Sequence, residues 1–167
     1  GRETFERRAD DVGGGIVNSG AEVPLHEFAE TLRLPVAPTL MGLGGFPSGH
    51  PLSLGMLGMH GTYAANMSIA ESDLLIAIGV RFDDRVTGKL ATFAPQASII
   101  HVDIDPANIG KNVAPTLSIA GDAQAVLDEF LGYLHRREPE ELQESLRLRE
   151  PWWEKIRAWQ HSQPLRF

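Results

Sequence analysis

Two arginines and two aspartates follow an apolar run in the middle of the chain. The run DLLIAIG is followed closely by Arg81, Asp83, Asp84 and Arg85. A guanidinium combines a fixed fork of donors with a planar face, so these arginines could bind a phosphate or stack on an aromatic ring. The aspartates could orient the arginines or accept hydrogen bonds from ribose hydroxyls. The alternative is a solvated turn whose charges pair with one another.

A second candidate is the glycine triplet Gly13-Gly14-Gly15. Glycines allow a backbone to approach a phosphate closely, although this triplet matches neither G-x-G-x-x-G nor a P-loop. The preceding residues GRETFERRADDV contain no convincing apolar strand. A flexible turn is therefore the competing interpretation, and we expect a gap or an unprotected sheet edge beside the triplet.

Two aspartates lie at the end of the apolar run SIIHVDI, at Asp103 and Asp105. A carboxylate at this position could bind a ribose or adenosine hydroxyl. A divalent metal site remains an alternative, and Asp105 before Pro106 could simply cap a short helix.

Methionines beside glycines in SLGMLGMHGT could line an adaptable flat pocket, through Met56 and Met59. His60 has no second zinc-type ligand at helical spacing, and we predict no metal site.

Composition limits the classes of function. Of the 167 residues, 43% are hydrophobic and 22% are charged, which is typical of a globular domain. The chain has 15 Lys plus Arg, 22 Asp plus Glu and no cysteine. The formal net charge of −7 disfavours nucleic acid and anionic membranes as partners. Without a long apolar run or cysteine chemistry, we expect a soluble, cytoplasmic protein.

Apolar strands alternate with helical patterns along the chain, which favours a parallel sheet covered by helices. We predict strands at 34–38, 74–78, 98–104 and 117–120. We predict helices at 23–34, 62–72 and 123–134, the last capped by Asp122, with a short helix from 105. The glycine-rich residues 41–61 predict an ordered loop. Beyond His135, Trp152, Ile156 and Trp159 recur at helical spacing, so a tail helix should bury an apolar stripe.

Three long segments resemble the central domain of acetohydroxyacid synthase, also called acetolactate synthase. They are TLMGLGGFPSGHPLSLGMLGMHGTYAAN, DLLIAIGVRFDDRVTGKLATFAP and IIHVDIDPANIGKN. The resemblance implies a doubly wound, Rossmann-like α/β fold with a mostly parallel sheet of six strands, or five if the first is altered, and helices on both faces. It divides the chain into an atypical lead-in at 1–11, a cofactor-binding domain at 12–135, and a helical linker or tail at 136–167.

The resemblance also implies a cofactor, an FAD with no net redox role in the reaction. Carried over by motif, the FAD-binding residues would be Gly13, Gly14, Gly15, Thr39, Leu40, Met41, Leu57, Gly58, Met59, His60, Gly79, Arg81, Asp83, Arg85, Val86, Asp103, Ile104, Gly121 and Asp122. The arginines would supply charge and stacking, and Asp103 would meet the adenosine end.

In such synthases, two further domains hold thiamine diphosphate and Mg²⁺, and the enzyme condenses two 2-oxoacids with release of CO₂ in branched-chain amino-acid biosynthesis. Neither the activating glutamate nor the diphosphate motif is found here, and Gly121-Asp122-Ala123 departs from Gly-Asp-Gly. We therefore expect a fragment that lacks catalytic residues, is inactive alone, and has FAD and the missing domains as partners.

Two alternatives belong to other classes of function. A ligand-free interaction module could self-associate, for example as a homodimer, through its tryptophan-rich tail and orphaned domain faces. A sirtuin-like, NAD-dependent enzyme would share this kind of sheet, but the paired zinc cysteines are missing.

Overall fold

One five-stranded parallel sheet organises the molecule. The computed structural model describes residues 5–163, so the ends of the predicted lead-in and tail, 1–4 and 164–167, lie outside the described residues. The strands are β1 (Arg8–Val12), β2 (Val36–Pro38), β3 (Leu74–Ile78), β4 (Ser98–Asp103) and β5 (Leu117–Ala120). Their order in the sheet is β2-β1-β3-β4-β5, and each neighbouring pair is parallel. The α/β, doubly wound prediction is confirmed, with five strands in the described part of the chain.

In residues 5–163, seven α-helices accompany the sheet, along with two short 3-10 helices at Leu40–Gly42 and Leu90–Thr92. The α-helices are α1 (Gly14–Ser19), α2 (Glu22–Leu32), α3 (Tyr63–Ala70), α4 (Asp84–Thr87), α5 (Ala123–His135), α6 (Pro139–Arg147) and α7 (Glu150–Ser162). Helix α5 packs against α1 and α2, whereas α3 packs against α7. Because the strand order reverses direction between β1 and β3, right-handed crossovers place these two helix groups on opposite faces of the sheet. Among residues 5–163, no helix is both long and apolar enough to span a membrane.

Strand β1 corrects the expectation that no strand precedes the glycine triplet. It pairs with β2 on one side and β3 on the other, from Arg8 opposite Leu74 to Val12 opposite Ile78. There is consequently no gap beside the glycines, and the sheet edges are β2 and β5. Aspartate is rare in strands, so the sequence RADDV, with Asp10 and Asp11, does not resemble an apolar strand. Burial on both faces and two ladders of backbone hydrogen bonds outweigh that local preference.

The segment after β4 is also different from the prediction. Residues 105–111 form successive turns rather than a helix, with Asn108 N–H donating to the Asp105 carbonyl at 3.0 Å. Asp105 still caps locally, because its Oδ1 accepts from Ala107 N–H at 2.9 Å. The predicted Asp122 cap is confirmed, since its Oδ1 accepts from Ala125 N–H at 3.2 Å.

The tail packs on the sheet domain through α7. Trp152, Trp153 and Ile156 are buried, and Trp159 is partly buried. The Trp152 indole N–H donates to the carbonyl of Arg8 at 3.1 Å, and that of Trp153 donates to the carbonyl of Arg33 at 2.9 Å. The apolar stripe is thus buried against this domain, and α7 is tied to the start of β1.

Candidate functional site

A large cavity of about 890 Å³ lies across the carboxyl ends of the strands. This is the edge at which ligands bind in open α/β sheets, and the strand order reverses here between β1 and β3. All the predicted FAD-binding residues except Gly58 line this one cavity: Gly13, Gly14, Gly15, Thr39, Leu40, Met41, Leu57, Met59, His60, Gly79, Arg81, Asp83, Arg85, Val86, Asp103, Ile104, Gly121 and Asp122.

Gly58 lies outside this lining, and its backbone lets two loops beside the cavity come into contact. Its φ is +107°, and a Cβ there would lie 2.6 Å from the carbonyl oxygen of Arg85. Its N–H donates to Asn66 Oδ1 at 3.1 Å, and its carbonyl accepts from Asn66 Nδ2 at 3.0 Å. Gly58 therefore lets the glycine-rich loop, residues 41–61, contact the segment after β3 that carries Arg81 and Arg85. We call this segment, residues 81–88, the arginine loop.

The glycine triplet forms the floor of the cavity at the turn after β1. The Gly13 N–H donates to the carbonyl of Ile78 at 3.0 Å, and a Cβ on Gly13 would lie only 2.1 Å from the carbonyl oxygen of Gly79. A Cβ on Gly15 would lie 2.6 Å from the Gly79 Cα. The glycines are therefore needed to let the turns after β1 and β3 touch, and this contact shapes the cavity.

The segment after β3 is an ordered loop rather than a solvated turn. Asp83 caps α4, because its Oδ1 accepts from Val86 N–H at 3.3 Å. Phe82, at φ +50°, buries its ring against Phe93 and His101, with centroid distances of 5.5 and 4.9 Å. Arg81 and Arg85, before and after Phe82 in sequence, are exposed at the cavity, and neither forms an ion pair with another described residue. Their charges are therefore free for an anionic ligand.

The carboxylate of Asp103 is built into the far end of the cavity. It is 6% exposed, and its Oδ1 accepts from Asp105 N–H at 2.8 Å and from Asn108 Nδ2 at 3.3 Å. The Asp103 carbonyl accepts from Gly121 N–H at 3.0 Å, which links the ends of β4 and β5. The side chain is held in one orientation at the cavity wall, as a ligand-binding carboxylate requires.

Large apolar side chains stand exposed around the cavity. Leu40, Met41, Met59 and Ile104 are all at least 65% exposed. Side chains of this kind offer flat, adaptable surface to a ring system. The cavity therefore combines a charged middle with apolar margins.

Two buried carboxylates lie beneath the cavity in β1. Asp10 and Asp11 are fully buried, and none of their oxygens has a hydrogen-bond partner among the described residues. Burial raises the pKa of Asp10 well above its ordinary value, and the adjacent Asp11 raises it further. Burial, followed by the negative charge of Asp83, raises the pKa of Asp11 to about 8. Burial in β1 therefore favours the protonated, uncharged form of both side chains.

Several lining residues escaped prediction from the sequence. Asn18 and Ser19 lie one turn along α1 from the glycine triplet, a position that helical spacing could have flagged. The other lining residues that the sequence did not indicate are Val80, Phe82, Val102, Asn108 and Ala123, whereas Met56 and Asp105, named as candidates from the sequence, also line the cavity. Buried side chains such as those of Val80 and Phe82 carry no sequence signal for a site, because they read as ordinary core.

Comparison with known proteins identifies the domain. The family model described as the central domain of thiamine pyrophosphate enzymes matches residues 12–130. The chain belongs to this family. The central domain is also similar to acetolactate synthase large subunits, which confirms the resemblance found in the sequence. No finding supports a sirtuin-like protein.

The relatives of this central domain are much longer proteins. It is 45% identical over 156 residues to the acetolactate synthase isozyme 3 large subunit of Escherichia coli, covering 93% of this chain and 27% of the relative. It is 57% identical over 129 residues to the probable acetolactate synthase large subunit of Methanocaldococcus jannaschii, covering 77% and 22%. The large subunit from Haemophilus influenzae is 48% identical over 156 residues, covering 93% and 26%. The chain thus spans about a quarter of the relatives it matches.

Proposed function

We propose that the cavity at the carboxyl edge of the sheet binds FAD. The observation that carries the proposal is the assembly of residues from five strand ends around one cavity. Neighbouring strands lie about 4.8 Å apart, so four spacings make a trough roughly 19 Å long. Such a trough suits an extended dinucleotide better than a small metabolite.

The chemistry of the lining fits the parts of FAD in order. Asp103, at the end of β4, and Asp122, beyond β5, would offer acceptors to the adenosine end. Arg81 and Arg85, after β3, offer guanidinium groups to the diphosphate, which carries the negative charge. Met41 and Met59 flank the other end, where an apolar isoalloxazine ring would lie.

We further propose that the domain serves a larger enzyme of the acetolactate synthase type, with the family's other domains as its partners. Such an enzyme would condense two 2-oxoacids and release CO₂, using thiamine diphosphate and Mg²⁺ held by those other domains. The support is the similarity to acetolactate synthase large subunits over most of this chain. In that assembly, the residues described here would bind and orient FAD.

The experiment is a titration of the purified chain with FAD, followed by flavin fluorescence and calorimetry. Arg81→Ala should weaken binding at least about tenfold, because a charge-assisted hydrogen bond is worth about 1.5–3 kcal/mol. Lys89→Ala is the matched control, since Lys89 is an exposed cation outside the cavity lining. Equal affinities for Arg81→Ala and Lys89→Ala, or no binding by the wild-type chain, would refute the proposed site.

A further inference from the structure

A cluster of metal-ligating side chains lies outside the cavity, between α2 and the glycine-rich loop. His26, Glu30 and His50 each offer one ligand atom, and these three atoms lie within 4.8 Å of one another. His26 and Glu30 are four residues apart on α2 and therefore share one helix face. His50 reaches them from the loop. We propose that this cluster is a binding site for a Zn²⁺-like transition metal ion.

Glu30 already joins the two imidazoles. Its Oε1 lies 3.2 Å from His50 Nε2, and its Oε2 lies 3.5 Å from His26 Nδ1. Tetrahedral zinc bonds of about 2.0–2.1 Å place neighbouring ligand atoms roughly 3.3 Å apart. Each imidazole nitrogen lies at about this separation from one oxygen of Glu30, a different oxygen for each ring. With one ligand atom from each residue, all three atoms lie within 4.8 Å, so small side-chain movements would bring them to coordination distance.

The rings are positioned by packing as well as by the carboxylate. The two imidazoles meet edge to face with centroids 4.9 Å apart, and buried Phe46 lies 5.7 Å from His26 and 5.1 Å from His50. The backbone of His50 is tied down on both sides, because its N–H donates to Pro47 at 3.1 Å and its carbonyl accepts from Ser53 at 2.9 Å. Two of the three ligands therefore start from restricted orientations.

The donor set selects the class of ion. Two imidazole nitrogens and one carboxylate suit Zn²⁺ and neighbouring transition metals, with water in the remaining position. Mg²⁺ and Ca²⁺ prefer oxygen ligands and are disfavoured.

One hydrogen bond must change when the metal binds. Leu52 N–H donates to His50 Nδ1 at 3.2 Å, so the proton of the neutral ring is on Nε2, facing Glu30. Coordination through Nε2 moves that proton to Nδ1 and releases the Leu52 amide. A shift of the Leu52 amide resonance on metal addition is therefore a specific signature of the site.

The test uses the full chain without an affinity tag, treated with a chelator and titrated with Zn²⁺ by calorimetry. The wild-type protein should bind one ion, and His26→Ala and His50→Ala should each weaken binding at least about tenfold, since even outer-shell partners are typically worth 10–100-fold. The matched control is His135→Ala. His135, at the end of α5, pairs with Glu27 of α2 at 3.0 Å but forms no three-ligand cluster among the described residues.

Circular dichroism would confirm that each variant is folded. Glu30→Gln replaces the third ligand at a side chain that is 53% exposed, so this change should weaken Zn²⁺ binding without disturbing the core. Co²⁺ added in place of Zn²⁺ should give visible absorption bands in the wild type and in His135→Ala only. Absence of Zn²⁺ binding by the wild type, or equal affinity in His50→Ala and His135→Ala, would overturn the proposal. The proposed metal site does not depend on FAD binding, so each proposal can fail without the other.

Discussion

Gly15 and Gly79 pack backbone against backbone where the sheet reverses its strand order. The Gly15 N–H donates to the Gly79 carbonyl at 3.3 Å, and a Cβ on Gly79 would lie 2.5 Å from the Gly15 Cα. Gly79 also has φ +64°, a conformation that L residues rarely adopt. One contact therefore joins the glycine triplet to the loop that presents Arg81.

Gly79→Ala should separate these two turns and remove FAD binding. The backbone conformation alone costs roughly 1–2 kcal/mol for a residue with a Cβ, and the clash with Gly15 adds to it. Gly44→Ala is the control, because Gly44 has φ +93° but open space around its Cβ position. Chemical denaturation should show a larger loss of stability for Gly79→Ala than for Gly44→Ala. Similar losses would mean that the close contact is unimportant.

The two buried carboxylates of β1 should make stability depend on pH. The pKa of Asp11 is raised to about 8 in the folded protein, and that of Asp10 is also raised. Their contribution is fully favourable below the ordinary aspartate pKa of about 3.9, and it is lost as pH rises towards the folded values. Each such carboxyl should lower the free energy of unfolding by about 1.4 kcal/mol per pH unit within this window.

Asp11→Val should therefore raise the melting temperature at pH 8 and flatten the pH dependence, because it removes an unpaired ionisable group from a buried strand. The comparison is with Asp84→Asn at an exposed position, which should change neither property. An equal change in stability between pH 5 and pH 8 in Asp11→Val and the wild type would contradict the raised pKa of Asp11. The difference between Asp11→Val and wild type isolates this contribution.

The tryptophans of α7 should stabilise the sheet domain, making the tail an integral part of it. Trp153→Phe removes the indole bond to Arg33 and should cost about 1 kcal/mol, whereas Trp153→Ala should cost about 3–5 kcal/mol. Trp159→Phe should have a smaller effect, because this side chain is only partly buried. Denaturation curves would decide, and an unchanged midpoint in Trp153→Ala would show that α7 is independent of the sheet.

Phe82 should control the order of the arginine loop. Phe82→Ala removes the ring that packs on Phe93 and His101, so stability should fall by about 3–5 kcal/mol and amide exchange at residues 81–88 should accelerate. FAD affinity should fall with it, because Arg81 and Arg85 lose their fixed placement. Phe130→Ala, in α5 and away from the cavity lining, should lower stability without lowering the affinity of the folded protein.

Sequence patterns were sufficient where local and tertiary preferences agree. The apolar run at Leu74–Ile78 is a strand with the predicted bounds, and it is buried throughout. Leu117–Ala120 is also a strand with the predicted bounds, although most of its residues are exposed at the sheet edge. The predicted α5 face agrees too, since Leu127 and Leu131 are buried. The residues that line the cavity could be collected largely through motif resemblance, because those motifs directly follow recognisable strands.

Tertiary structure alone decided β1, the roles of Gly58 and Phe82, and the destination of the tail. Asp10 and Asp11 oppose strand formation locally, but pairing with β2 and β3 on both sides supplies backbone hydrogen bonds that no sequence window contains. The meeting of Gly58 with Arg85, and of His50 with Glu30, joins residues that are distant in sequence. Patterns of local spacing determine elements, whereas contacts between elements depend on how the complete sheet packs.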